Sequence, residues 1–243
     1  MAESHESTPV AELQDILIGA ESVDSFLEGL SKFAAATLSQ SLGTDIECAV
    51  TLKRRRVTAT VAGSSPRAVQ LDHIEQSVGD GPCIRALKTM TPQYIEDVAS
   101  DTRWPDYQRH LAEVGIYSTL GVPLEIGNDA SAALNFFASK PGAFTAEAYD
   151  KAVGFGDTAA RTLHLAVRLG TAQKRAKDLE NAMQSRTAID LACGVIMGQN
   201  RCSQDDAMAI LAKVSSNRNQ KLRDVAADLL LKISGSEVNT HFE

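Results

Sequence analysis

Arg186-Thr187-Ala188-Ile189-Asp190-Leu191-Ala192-Cys193-Gly194-Val195-Ile196-Met197 is the stretch whose reading decides the fold. Ile189, Ala192, Cys193 and Ile196 stand at i, i+3, i+4 and i+7, one face of a 3.6-residue period. Ala188, Leu191 and Val195 form a neighbouring apolar stripe, so two sides of this helix ask for cover. A second helix opens at Ser203-Gln204-Asp205-Asp206, a serine cap with an acid three residues on, where acids suit the positive end of the helix dipole. Ala207, Ile210, Leu211 and Val214 are its apolar stripe. A third begins near Asn219, with Leu222, Val225, Ala226, Leu229 and Ile233 as its stripe and Gly235 as a stop. Short amphipathic helices with short polar joints predict a small three-helix unit.

The run Arg186, Ile189, Ala192, Gly194, Ile196 and Met197, then Ala207 and Leu211, then Lys221-Leu222 and Val225-Ala226, resembles the ANTAR family of RNA-binding transcription antiterminators. The match covers the whole module in order and spacing. The family often carries lysine between the alanine and glycine of the first helix; Cys193 stands there instead, so no cation offers a phosphate contact at that spot. The resemblance implies an RNA partner: a stem-loop in a leader transcript with a short terminal loop, often two in tandem, held in a form that excludes a terminator.

Charge is divided unevenly along the chain. Residues 172–235 hold ten Lys+Arg against seven Asp+Glu, a balance of +3; the remainder holds fourteen against twenty-four, −10, which recovers the total of −7. A mildly basic module on an acidic body supports a small polyanion footprint, not a long duplex-binding surface. The 243 residues suffice for two domains, and 44% hydrophobic with 23% charged residues are ordinary globular values. No apolar run approaches a membrane span, and Met1 to Pro9 lacks the basic head of a signal peptide. A cytoplasmic protein without a membrane partner is expected. Cys48, Cys83, Cys193 and Cys202 have no metal-type spacing, which predicts reduced thiols and no metal site.

Upstream, residues 1–9 read as a disordered start within a segment 1–19, and 236–243 as a disordered tail. Val10 to Gln40 is helical, with a break capped by Ser22 or Asp24. Asp45–Lys53 and Val57–Val61 alternate as strands, Ile46, Cys48, Val50 and Leu52 facing one way and Glu47, Ala49 and Thr51 the other. The basic tip Lys53-Arg54-Arg55-Arg56 reads as a solvated turn. Helices follow at Ala68–Val78, at Cys83–Met90 with Pro82 in its first position, and from Asp101-Thr102-Arg103-Trp104-Pro105 to Gly115. Gln93–Ile95, Tyr117–Glu125 and Ala130–Ser139 are strands, the last two joined at Gly127-Asn128-Asp129. Thr145 caps a long final helix.

This pattern predicts an α+β domain. Gly79-Asp80-Gly81-Pro82-Cys83, Asp97, Arg103-Trp104-Pro105, Gly115, Pro123-Leu124, Ala133-Leu134-Asn135-Phe136 and Phe144 resemble the GAF sensor fold over about residues 20–168. The expected fold class is therefore an α+β GAF-like domain, an antiparallel sheet with flanking helices, joined by a long coiled-coil helix to an all-α three-helix ANTAR domain. Leu165, Leu169, Ala172, Ala176, Leu179 and Met183 are spaced 4, 3, 4, 3, 4, an a/d seam. It predicts a connector at 169–185 that pairs as a parallel homodimer, with the RNA module at 186–235.

Phosphate contact needs Arg, Lys or free helix N–H groups, so Arg186, Arg201, Arg218 and Lys221 are the RNA candidates. Ala192 and Gly194 join them because small residues admit a nucleotide closely. Residues 172–235 contain no aromatic side chain, which leaves base readout to arginine stacking and polar or apolar contacts. In the first domain the resemblance leaves room for a small-molecule ligand, with Cys83 and Trp104 as candidate contacts. A thiol at a helix N-terminus has a lowered pKa, and some domains of this fold are free-methionine-sulfoxide reductases. Gly115 to Leu124 has no cysteine where those enzymes place the nucleophile, and no P-loop, Rossmann glycine pattern or serine elbow is present. No sequence feature demands a haem or other cofactor. The protein reads as a non-enzymatic antitermination regulator; the competing class is a signalling scaffold whose helical module binds protein.

Overall fold

The computed structural model describes residues 8–54, 57–127 and 130–234. Residues 1–7 of the expected disordered start, the expected tail at 236–243, the stop at Gly235, the tip residues Arg55 and Arg56 and the turn residues Asn128 and Asp129 lie outside them, whereas Thr8 and Pro9, expected in that start, form the cap and first residue of a helix. The chain divides into two compact units, Met1–Gly170 and Thr171–Glu243.

The first unit opens with α1 (Pro9–Gly19) and α2 (Val23–Leu42). Ser22 caps α2 as expected: its hydroxyl accepts the Ser25 N–H, and Ser25 answers back in a capping box. β1 (Ile46–Arg54) and β2 (Val57–Gly63) form the predicted hairpin. Then come α3 (Pro66–Val78), α4 (Pro82–Thr89), β3 (Gln93–Ile95), α5 (Pro105–Glu113), β4 (Ser118–Gly127) and β5 (Ala130–Ala138). All pairings are antiparallel and the five strands run β2-β1-β5-β4-β3.

Strand alternation sends successive side chains to opposite faces. Ile46, Cys48, Val50, Leu134 and Phe136 pack on one face against Phe26, Leu30 and Leu38 of α2 and Ala152, Ala159 and Leu163 of α6 (Ala146–Asn200). Ala49 and Phe137 turn the other way, onto Leu71 of α3 and Tyr107 and Leu111 of α5. Glycine sets how closely α4 approaches this second face: a Cβ on Gly121 of β4 would stand 3.2 Å from the Pro82 carbonyl and 3.3 Å from the Cys83 Cα.

The second unit contains the C-terminal part of α6, α7 (Gln204–Arg218) and α8 (Leu222–Ser234). Ala192, Cys193 and Ile196 share a core with Ala207, Leu211, Val225, Ala226 and Leu230. Ser203 caps α7 in a box with Asp206. The third helix, expected from near Asn219, begins three residues later at Leu222, and Asn219 itself closes α7 in the left-handed region, φ 50°. Asparagine tolerates that conformation, so it stops one helix and cannot open the next. Ile210 and Ile233, expected in the core, are exposed, as is Leu191. Three short helices bury one stripe each, and the neighbouring stripe stays outside.

Candidate functional site

The basic candidates of the second unit, Arg186, Arg201, Arg218 and Lys221, are all exposed. Arg186 is 86% exposed in its side chain and leans on Asp190 one turn away, Nε to Oδ2 3.8 Å. Arg218 closes α7 and Lys221 immediately precedes α8; both are exposed and make no ion pair among the described residues. Arg201 is also exposed, in the turn between α6 and α7 with φ 51°. A three-residue turn joins α6 to α7. At 1.5 Å per residue, Arg186 and Arg218 each lie roughly 21 Å from that turn, while Arg201 sits in it. Arg218 and Lys221 flank the joint between α7 and α8, and Arg201 stands at the opposite end of α7.

Gly194 is exposed, and a Cβ there would meet nothing within 4 Å, so the backbone of α6 is open to a close partner. Ala192 corrects the sequence expectation. It is fully buried in the three-helix core, so its methyl group packs against the other helices and contacts no nucleotide.

Beneath α3, α4 and α5 the first unit encloses a polar chamber that sequence reading missed. Asp72 and Glu75 are one turn apart on the buried face of α3. Asp72 Oδ2 accepts the hydroxyls of Thr51, at 2.6 Å, and Thr60; Oδ1 accepts Asn135 Nδ2 at 2.5 Å. Burial raises the Asp72 carboxyl above its ordinary range, opposed by these three donors. Glu75 Oε1 accepts the Ile84 N–H at 2.8 Å. Burial pushes the Glu75 carboxyl up to about 8, against the pull of the Ile84 amide and with help from the Asp72 charge. The Asn135 Oδ1 lacks a hydrogen-bond partner among the described residues, and the Tyr107 hydroxyl, without an ideally oriented partner, interacts with the Glu75 carboxyl. The one available signal was the alternation that turned Thr51 away from the larger core.

Cys83 lies in this region at 1% exposure, packed on Leu87 and Ala133. The lowered pKa expected at a helix start is overturned. Burial raises the thiol well above its usual value, reinforced by the charges of Glu75 and Asp72. Trp104 is buried with Tyr107 and Leu111, and the Arg103 guanidinium covers its ring at 4.6 Å. Two clefts of about 650 and 330 Å³ open on this unit, one lined by Met90, Pro123, Glu125, Asp157, Arg161 and His164, the other by Ser39, Asp45, Glu47, Ser64, Arg67 and Phe137. Cys83 and Trp104 line neither. Among the described residues no cluster of His, Cys, Asp and Glu could hold a metal, and no helix is long and apolar enough to cross a membrane.

A GAF domain model matches residues 24–164, more than half of the chain, and an ANTAR domain model matches residues 177–230. The chain belongs to the GAF family and carries an ANTAR domain after it. Both are regulatory domains, and their pairing in this GAF-ANTAR protein makes it a sensor-regulated RNA-binding regulator of the ANTAR type. No curated protein matches the chain. Among solved structures, the N-acylhomoserine lactone dependent LuxR family transcription factor CepR2 from Burkholderia cenocepacia is 16% identical, with 68% of this chain and 95% of that one covered and a TM-score of 0.50. At that identity the likeness concerns the fold alone. A type II free methionine-R-sulfoxide reductase from Thermoplasma acidophilum is also 16% identical, over 59% of this chain and 96% of that one, TM-score 0.43. The GAF domain of an Acinetobacter phosphoenolpyruvate-protein phosphotransferase is 13% identical, over 67% and 95%, TM-score 0.46.

Proposed function

We propose that this GAF-ANTAR protein is a cytoplasmic, non-enzymatic antitermination regulator whose second unit holds a stem-loop of a leader transcript. The observation that carries the reading is the exposure of Arg186, Arg218 and Lys221 around a three-helix core, with the open backbone of Gly194 on the same α6 helix as Arg186. Exposed cations neutralise phosphates, and the N-terminus of α8 beside Lys221 adds a partial positive charge. Arg201 is an outlying contact, used only by an RNA long enough to span α7.

In this reading residues 20–168 form the sensor, 169–185 the connector and 186–235 the RNA module. α6 runs from Ala146 to Asn200 without interruption. Leu165 and Leu169 in the first unit, and Leu179 and Met183 in the second, are exposed at a/d spacing, which supports a parallel homodimer along this helix. A ligand in the GAF domain then alters RNA binding through the paired helices. The burial of Cys83 and its raised pKa stand against a thiol-dependent reductase.

The test is binding of the full chain to a hairpin and to an unstructured RNA of equal length at several salt concentrations. The reading expects hairpin preference, steep weakening with salt and loss on Arg218→Ala or Lys221→Ala. Equal binding to both RNAs overturns it. The exposed Leu191, Ile210 and Leu231 favour a second reading, in which the module binds protein. Salt-insensitive binding lost on Ile210→Asp, with Arg218→Ala harmless, would select that reading.

A further inference from the structure

The smaller cleft of the first unit, about 330 Å³, opens where β1 begins and β5 ends. Neither Asp72 nor Glu75 lines it, so it is separate from the buried chamber. Pockets for drug-sized ligands span about 300–1,000 Å³, so this volume suits a small molecule. Phe137 and Ile116, each 2% exposed, give it an apolar floor. Its walls carry charge of both signs. Glu47 stands opposite Phe137 in the β1–β5 register, on the same face of the sheet, and Arg67 stands in the first turn of α3. Neither makes an ion pair among the described residues. Neutral groups hold them instead. Glu47 Oε2 accepts the hydroxyls of Ser64, at 2.9 Å, and Ser65, at 2.7 Å, while its Oε1 accepts no hydrogen bond among the described residues. Both hydroxyls are themselves fixed: Ser64 Oγ accepts the Cys48 N–H at 3.0 Å, and Ser65 Oγ accepts the Ala68 N–H at 3.1 Å as the cap of α3. Arg67 Nη2 donates to the Val114 carbonyl at 3.2 Å, which leaves the rest of its fork of N–H groups to a ligand.

A carboxylate and a guanidinium that line one small cleft without pairing match an occupant with both complementary charges. We propose that this cleft binds a free α-amino acid with an apolar side chain: its ammonium on Glu47, its carboxylate on Arg67, its side chain on Phe137 and Ile116. A planar guanidinium receives a carboxylate through parallel N–H groups, and the serine-held carboxylate of Glu47 is preorganised for an ammonium. Selectivity for the zwitterion follows from the same charges. Glu47 and the exposed Asp45 disfavour a simple carboxylic acid, and Arg67 disfavours a simple amine. All of these residues belong to the first unit, so binding does not depend on the second; only an effect on RNA rests on the proposed sensor role.

The test is calorimetric titration of the full chain, first without RNA, with L-leucine as the probe. Leucinamide keeps the ammonium and lacks the carboxylate; isocaproate keeps the carboxylate and lacks the ammonium. L-leucine binds, and each analogue binds on the order of tenfold weaker, the loss of one charge-assisted contact. Arg67→Gln brings L-leucine down to the level of leucinamide and leaves leucinamide itself unchanged, as a contact shared by that residue and the missing group requires. Glu47→Gln does the same for isocaproate. The Arg67 side chain is exposed, so Arg67→Gln decides the matter if Glu47→Gln fails to fold. No heat with millimolar L-leucine, leucinamide or isocaproate binding as tightly as L-leucine, or L-leucine binding unchanged by Arg67→Gln overturns the site. L-leucine binding that leaves the affinity for an RNA hairpin unaltered supports the site and counts against the sensor role instead.

Discussion

The Oε1 atom of Glu75 accepts the backbone N–H of Ile84 at 2.8 Å. A carboxyl from α3 thereby caps α4 across nine residues of chain, and it does so inside the fold. That contact makes the Gly79-Asp80-Gly81 turn part of a buried polar junction. Gly79 ends α3 at φ 79°, where a side chain is strained, and Gly81 leaves the room that Glu75 fills.

Replacing Gly81 should therefore be costly although its own backbone, φ 161°, is extended and unstrained. Gly81→Ala forces a methyl group onto the Glu75 carboxyl, and overpacking of this kind costs about 1–3 kcal/mol. Urea denaturation should show a lower midpoint for Gly81→Ala. Gly19→Ala, where a Cβ meets nothing within 4 Å, should match or exceed the wild type.

Stability should fall as pH rises through neutrality. The Glu75 carboxyl titrates near 4.5 when unfolded and at about 8 when folded, raised chiefly by burial. Its contribution is fully present below about pH 4.5 and is lost as pH climbs to about 8, at a slope of up to about 1.4 kcal/mol per pH unit. Asp72 is raised as well and acts in the same sense. Thermal or urea unfolding from pH 5 to 8 should give a declining curve for the wild type and a flatter one for Glu75→Gln.

Thiol labelling at neutral pH should order the cysteines by burial. Cys202 is partly exposed, whereas Cys48, Cys83 and Cys193 are buried and their thiols are raised in pKa by desolvation. Mass spectrometry after a short pulse of iodoacetamide should find Cys202 modified first. Early labelling of Cys83 would contradict the packing of α4 on the sheet.

The proposed dimer can be broken within the second unit alone. Leu179 is 62% exposed and lies on the a/d seam with Leu165, Leu169 and Met183, which are exposed too. Leu179→Glu should convert a dimer to a monomer in sedimentation experiments without lowering the helix signal. A wild-type chain that sediments as a monomer at micromolar concentration would end the proposal.

RNA contacts should separate by position along the three-helix unit. For a short hairpin, Arg218→Ala and Lys221→Ala should each weaken binding and reduce the salt slope by about one. Arg201→Ala, placed at the opposite end of α7, should leave affinity for the same hairpin within about twofold.

Periodicity by itself determined the elements: the alternation of β1, the Ser22 and Ser203 caps, the three apolar stripes after Arg186 and the helix that does not stop at Gly170. These are local, set by the spacing of apolar residues and by a hydroxyl three residues from an orphan amide. The family motifs likewise lie within short stretches of chain. Packing alone decided the rest. Ala192 became core because the stripe that includes Ile189 and Ile196 faces α7 and α8, and Arg201 stands apart from Arg218 because the whole of α7 lies between them. The chamber of Asp72, Glu75, Tyr107 and Asn135 gathers residues from two helices and a strand up to 63 positions apart. No period along the chain encodes that meeting, since burial and a carboxyl's proton affinity depend on which elements close over it.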